Sequence, residues 1–74
     1  MAGAVRIVGH ARKRCAERRV SERDILGALR KPASAWRDTE RPDRWHIMGT
    51  DTDGDALELV VEFEEREVII ITVM

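Results

Sequence analysis

Near the start of the chain stand side chains whose types and spacing suit chemistry on a phosphodiester. His10, Arg14 and Arg18 recur every four residues, so on a helix they project from one face as a ladder of one imidazole and two guanidiniums. A neutral imidazole can take the proton of a ribose 2′-hydroxyl, and arginines can stabilise charge on a pentacoordinate phosphorus, with no metal ion required. His46, the other of the two histidines, could supply the acid to a base at His10 if the fold brings them together. The structural alternative is plainer. His10 would cap a helix start, the arginines would lie over a sheet edge and pair with Glu17, Asp24 or the acids of a later strand, and His46 would pack half-buried beside Trp45.

The ladder needs a helix under it, and the residues from His10 to Arg19 supply one: Ala, Arg, Lys and Glu dominate, with no Gly or Pro. Its apolar stripe is narrow, Ala11 and Cys15 with Ala16 beside them, so long arginine stems must cover the rest. Val5-Arg6-Ile7-Val8 before it has the β-branched content of a short strand or extended lead-in, with Gly9 as the break. Ser21 and Asp24 have the spacing of a capping box, with Val20 and Ile25 as its hydrophobic staple, so a second helix begins at about Glu22. Ile25, Leu26, Ala28 and Leu29 give it a broad apolar face, and Pro32 ends it near Arg30.

Residues 32–44 are rich in Pro, Asp, Arg and Ser and form a connection, which a short strand around Ala35-Trp36-Arg37 would interrupt. Trp45 to Thr50 then reads as a strand, Asp51 to Asp55 as a turn, and Ala56 to Phe63 as a second strand with Leu57, Leu59, Val61 and Phe63 on one face and Glu58 and Glu62 on the other. Val68 to Met74 is apolar on both faces, as suits a strand flanked by neighbours and covered by the helices. The expected architecture is a single α+β domain over residues 1–74, two short N-terminal helices packed on an antiparallel sheet of about three to four strands.

Other residues invite chemistry less well. Asp51-Thr52-Asp53-Gly54-Asp55 mimics part of a calcium loop, but Gly falls at the fourth position rather than the sixth and no helix follows, so a hairpin turn is expected. Cys15 has cationic neighbours that could lower its pKa, though a half-buried small hydrophobe needs no special role. Trp36 and Trp45 could stack bases beside Arg37, Arg41 and Arg44, yet in a chain with one other aromatic they read first as core anchors.

A chain of 74 residues makes one domain and leaves it marginal without a well-used core or a partner. The lone cysteine excludes an internal disulfide, and no Cys and His pair has the spacing of a structural zinc site; neither metal nor cofactor is expected. The N-terminal Met1 to Val8 is too short and too early charged for a signal peptide, and no apolar run spans a membrane, so a cytoplasmic location is the expectation. The net charge of −1 hides a segregation: residues 1–45 hold twelve Lys and Arg against six acids, whereas residues 46–74 hold Arg66 alone against eight acids. If the halves form different surfaces, a basic face could meet phosphate despite the neutral total; otherwise they neutralise each other within the fold or across a dimer.

His10-Ala11, Arg14, Arg18, Val20-Ser21, Asp24-Ile25, Leu29 and Pro32, closing with Ile70-Ile71-Thr72-Val73, resemble an uncharacterised bacterial domain family with an "HA-x-x-R", "I-S-x-x-D-I" and "I-I-T" pattern. That family looks like a relative of the BrnT and RelE group of toxin ribonucleases, whose fold packs one or two N-terminal helices on an antiparallel sheet. The resemblance implies a metal-independent endoribonuclease of a toxin–antitoxin pair, held by an antitoxin-like partner protein. It places His10 as base or acid, Arg14 and Arg18 as phosphate ligands, and Thr72 near them as a polar contact. RNA binding then requires the acidic strand half to face away from the helices. The competing reading is a non-catalytic interaction module, in which the acidic sheet or the apolar C-terminal strand pairs with another protein or a second copy. A bare structural domain is the third.

Overall fold

The computed structural model describes residues 4–74, so the first three residues of the expected domain and of its charged lead lie outside the described residues. Within it the chain runs β1 (Ala4–Ile7), α1 (Gly9–Arg18), α2 (Glu22–Arg30), β2 (Ser34–Arg37), β3 (Arg44–Thr50), β4 (Ala56–Phe63) and β5 (Glu67–Val73). The strands form one sheet in the order β1-β5-β4-β3-β2. Strands β2 to β5 are an antiparallel meander. The expected antiparallel sheet of three to four strands is therefore a five-stranded mixed sheet, because β1 lies parallel beside β5, with Val5 opposite Val68 and Ile7 opposite Ile70. The two helices carry the chain from β1 at one edge to β2 at the other. No helix among the described residues is long and apolar enough to cross a membrane.

The helices cover one face of the sheet, α1 over β5 and α2 over β3. Ala11, Cys15, Ile25 and Ala28 meet Ile7, Ile47, Leu57, Leu59, Val61, Val68, Ile70 and Val73 in one core. The period-two alternation of β4 is realised at Leu57, Leu59 and Val61, whereas Phe63 at the strand end is 54% exposed. A register shift opposite Val60 and Val61 pairs Val60 with Thr72 and Val61 with Ile70. This bulge leaves Ile71 without a partner residue and lets Ile70 and Val73, three residues apart, both face the helices. The other face of the sheet has no helix on it. The bareness of β3 at Gly49 lets α2 close in, since a Cβ there would sit 2.9 Å from the Ala28 Cα and Cβ.

Local signals explain most boundaries. Helix α1 starts at Gly9 rather than after it, and ends in a Schellman motif: Arg19 N–H donates to the Ala16 carbonyl at 3.4 Å and Val20 N–H to that of Cys15 at 2.9 Å. The left-handed residue of that motif is Arg19, at φ 56°, where glycine is usual. Helix α2 carries both arms of the capping box, Ser21 Oγ accepting from Asp24 N–H and the Asp24 carboxylate accepting from Ser21 N–H. The hairpin expected at residues 51–55 is present: Asp51 N–H donates to Asp55 O at 2.8 Å, and Gly54 takes φ 88°. Asp51 Oδ1 accepts from the Asp53 and Asp55 N–H groups at 2.9 Å each, which commits that carboxylate to the turn rather than to calcium.

Corrections fall on the edges. The C-terminal strand is flanked by neighbours, as its apolar faces imply: β5 lies between β1 and β4, so the interaction-module reading that needs an edge there loses it, and the edge strands are β1 and β2. Trp45 packs half-buried against the core as expected of an anchor, with the Arg37 guanidinium 4.8 Å from its ring centroid. Trp36 does not anchor the core; it is 42% exposed on β2.

Candidate functional site

Helix α1 holds His10, Arg14 and Arg18 along one flank, as their spacing dictates, beside the buried stripe of Ala11 and Cys15. His10 and Arg18 are exposed and Arg14 is half-buried. Arg14 lies inward because β1 pairs with β5 only as far as Ile70, whose carbonyl takes the Val8 N–H at 3.3 Å. Beyond that point the chain turns into α1 and the outer edge of β5 is left open. Arg14 Nε stands 3.5 Å from the Val73 carbonyl at this edge, a long contact that orients the guanidinium across the strand end.

No carboxylate takes up this row. Among the described residues the ion pairs of Arg and Lys are Arg6–Glu67 at 3.1 Å and Arg12–Glu22 at 3.8 Å, both exposed, and neither involves Arg14 or Arg18. Asp24, one expected partner, is buried at the α2 cap: its Oδ2 accepts from Ser21 N–H and Oγ, and its Oδ1 accepts from Thr52 N–H at 2.8 Å. Those backbone donors hold the Asp24 carboxyl down to about 2. Nor does His10 cap α1; the N-cap residue is Val8, and no side chain bonds the first turn. Among the described residues the basic half (1–45) and the acidic half (46–74) meet in one Arg–carboxylate ion pair, Arg6–Glu67, and on the sheet Arg44 stands opposite Glu62.

The structure does not bring His46 or Thr72 to this row. Trp36, His46, Val60 and Thr72 form one cross-strand row through β2, β3, β4 and β5. Its neighbours Ile47, Leu59 and Val73 face the helices, so the row lies on the uncovered face of the sheet. His46 is engaged there on both ring nitrogens, Nε2 at 2.7 Å from Asp38 Oδ1 and Nδ1 at 3.2 Å from Glu58 Oε2. Its ring stacks on Trp36 at 5.4 Å between centroids with 5° between planes. Hydrogen bonds to Asp38 and then Glu58 raise the His46 pKa above its ordinary value. Asp38 is lowered, first by His46 and then by the N–H groups of Arg41 and Glu40. With a carboxylate oxygen at each ring nitrogen, His46 has no nitrogen open to a substrate.

Other titratable groups are structural. The carboxyls of Asp43 and Glu62 perturb one another, which lowers the first and raises the second. Cys15 is a buried small hydrophobe; burial raises its thiol pKa, and the cationic Arg12 lowers it less. Among the described residues no group of three or more His, Cys, Asp or Glu side chains is arranged to hold a metal ion.

The α1 row was legible from four-residue spacing. The Asp38–His46–Glu58 cluster was not, because it depends on which residues of β2, β3 and β4 stand opposite one another. Only the neighbouring Trp45-His46 pair hinted that His46 would pack.

No curated protein and no solved structure matches this chain. One family model does, and its match spans nearly every described residue, both helices and the sheet from Ile7 onward. The chain belongs, over residues 7–74, to the family described as Domain of unknown function (DUF4258).

Proposed function

We propose that this domain binds RNA along the flank of α1 that borders the end of β5 and cleaves it without a metal ion, His10 moving the proton and Arg14 and Arg18 holding the phosphate. The observation that carries the reading is the row itself: one imidazole and two guanidiniums at helical spacing, with no carboxylate in an ion pair with either arginine among the described residues. Guanidiniums not neutralised by a carboxylate are what a phosphate backbone requires, and the first turn of α1, free of acids and of a side-chain cap, adds its N–H groups to the same positive end.

In this reaction His10 takes the 2′-hydroxyl proton, the oxygen attacks the adjacent phosphorus, and the P–O5′ bond breaks. The imidazolium returns its proton to the departing 5′-oxygen, leaving a 2′,3′-cyclic phosphate. Arg14, steadied by the Val73 carbonyl, and Arg18 bind the non-bridging oxygens as charge builds on them. His46 and Thr72, on the opposite face of the sheet, take no part. The layering of two helices on a sheet supports a kinship with the RelE and BrnT ribonucleases, though fold likeness alone does not carry the chemistry. A toxin of this kind works in the cytoplasm and is restrained by an antitoxin-like protein that covers α1.

The test is a cleavage assay on mixed single-stranded RNA in EDTA, using wild-type protein and a His10→Ala variant whose circular dichroism matches it. Cleavage that vanishes with His10 supports the reading; cleavage that survives in His10→Ala, or none by either protein, refutes it. A second reading, a protein-interaction module or homodimer, is favoured by one observation: β2 is an edge strand whose four residues are all exposed. A monomer at millimolar concentration would count against its homodimer form.

A further inference from the structure

The cluster on the uncovered sheet face belongs to neither reading above. Strand β2 contributes no residue to the buried core, and all four of its residues are exposed. Its hold on the sheet consists of its backbone ladder to β3, the Arg37 guanidinium over the Trp45 ring, and the side chains gathered around His46. Each of those contacts secures a different piece. Trp36 stacks on the imidazole from β2 itself. Asp38, the first residue after β2, bonds Nε2 while its other oxygen accepts from Glu40 N–H at 3.0 Å and Arg41 N–H at 2.8 Å, so that the turn into β3 is pinned to the same ring. Glu58 fixes Nδ1 from β4, two strands in from the edge.

We infer that His46 is a proton-controlled latch: with its proton it ties the edge strand β2 and the exposed Trp36 to the body of the sheet, and without it they come free. The argument is a count of donors. An imidazolium has two N–H groups, one for each carboxylate; a neutral imidazole has one, and its bare nitrogen then faces a carboxylate oxygen, lone pair against lone pair. Whichever carboxylate loses its donor, the ring is no longer held from both sides. If Asp38 is the one released, the β2–β3 turn loses its link to the ring.

The groups that face His46 from each packed element are Trp36 on β2, Asp38 in the β2–β3 connection, and Glu58 and Val60 on β4. Arg44, two residues along β3, and Glu62 opposite it make the next row on that face. The charged groups bonded to the ring are both acids, and they raise its pKa. The sign follows. A group whose folded pKa is raised stabilises fully below its unfolded value near 6.5 and loses that contribution as pH rises through the folded value. The latch is closed in mild acid and opens on the alkaline side.

Two measurements on intact protein test this. The first is an NMR titration of the His46 ring, which reports its protonation directly and should give a midpoint above 6.5. The second is amide exchange across the same pH range, corrected for the intrinsic rise in exchange rate, read at Asp38, whose N–H bonds the Arg44 carbonyl at 2.9 Å. Protection there should fall at least about tenfold as the ring loses its proton, while Leu59 at the sheet centre stays protected. In a His46→Gln variant with unchanged circular dichroism, protection at Asp38 should be low throughout and independent of pH. A midpoint at or below 6.5, or protection at Asp38 that does not change across the titration of the ring, overturns the latch.

Discussion

Replacing Asp24 with Asn should remove a large part of the stability of this domain without touching the surface of α1. The wild-type carboxylate is 5% exposed and accepts from Ser21 N–H at 2.8 Å, Ser21 Oγ at 3.0 Å and Thr52 N–H at 2.8 Å. It therefore joins the start of α2 to the β3–β4 hairpin, two parts of the chain that share no other side-chain hydrogen bond among the described residues. Its pKa falls from 3.8 to about 2, and at 1.36 kcal/mol per unit this preference for the charged form amounts to about 2 kcal/mol. An amide keeps one acceptor but turns a donor toward N–H groups that also donate, so the loss should be about 2 kcal/mol. A domain of this length shifts its melting temperature by about 4–8 °C per kcal/mol, which gives a fall of about 8–16 °C.

The sign with pH is that of a depressed carboxyl. The contribution is complete above 3.8 and disappears as pH falls through about 2. Urea unfolding followed by circular dichroism, at neutral pH and again near pH 2, measures both limits. The two proteins should differ by about 2 kcal/mol at neutral pH and converge in acid. A difference within about 0.5 kcal/mol at neutral pH, typical of an unremarkable surface site, or one that persists undiminished near pH 2, would refute the clamp.

Gly49→Ala should destabilise by about 1–3 kcal/mol in chemical denaturation, because its new methyl would meet Ala28 at 2.9 Å and force α2 off the sheet. Arg19→Gly should raise the melting temperature, relieving a left-handed conformation at φ 56° that costs an L-residue about 1 kcal/mol. Exchanging Arg14 and Arg18 together for Gln should weaken binding to single-stranded RNA in fluorescence anisotropy and lower the slope of log K against log salt by about 1.4, at about 0.7 per phosphate contact. An unchanged slope would mean that neither residue meets phosphate.

What could be read from the sequence was local. Four-residue spacing put His10, Arg14 and Arg18 on one helix face, Ser21 and Asp24 announced the start of α2, and Asp53-Gly54 announced a hairpin. What could not be read depends on partners distant in the chain. Val5 to Val8 reads equally as a short strand or an extended lead-in, because nothing nearby shows that β5 would accept Val5 and Ile7 in parallel. The bulge opposite Val60 and Val61 decides which face Thr72 occupies, and no pattern within Val68 to Met74, apolar on both faces, reveals it. His46 and Asp38 are eight residues apart and meet only once β2 has folded back on β3. Trp36 reads as a core anchor because the chain has so few aromatics, but an edge strand outside the helical layer leaves such a residue in solvent and gives it His46 as a neighbour.

The central claim is that RNA meets this protein on α1. Titrating a short single-stranded RNA of uniform length into isotopically labelled protein, and following the backbone amide resonances at low salt, reads the contact surface residue by residue. The account predicts that the shifted resonances cluster at His10, Arg14, Arg18 and their neighbours on α1, and that they return toward their free positions as salt is added. Shifts confined to β3 and β4, or none at RNA concentrations well above those of the protein, would contradict it.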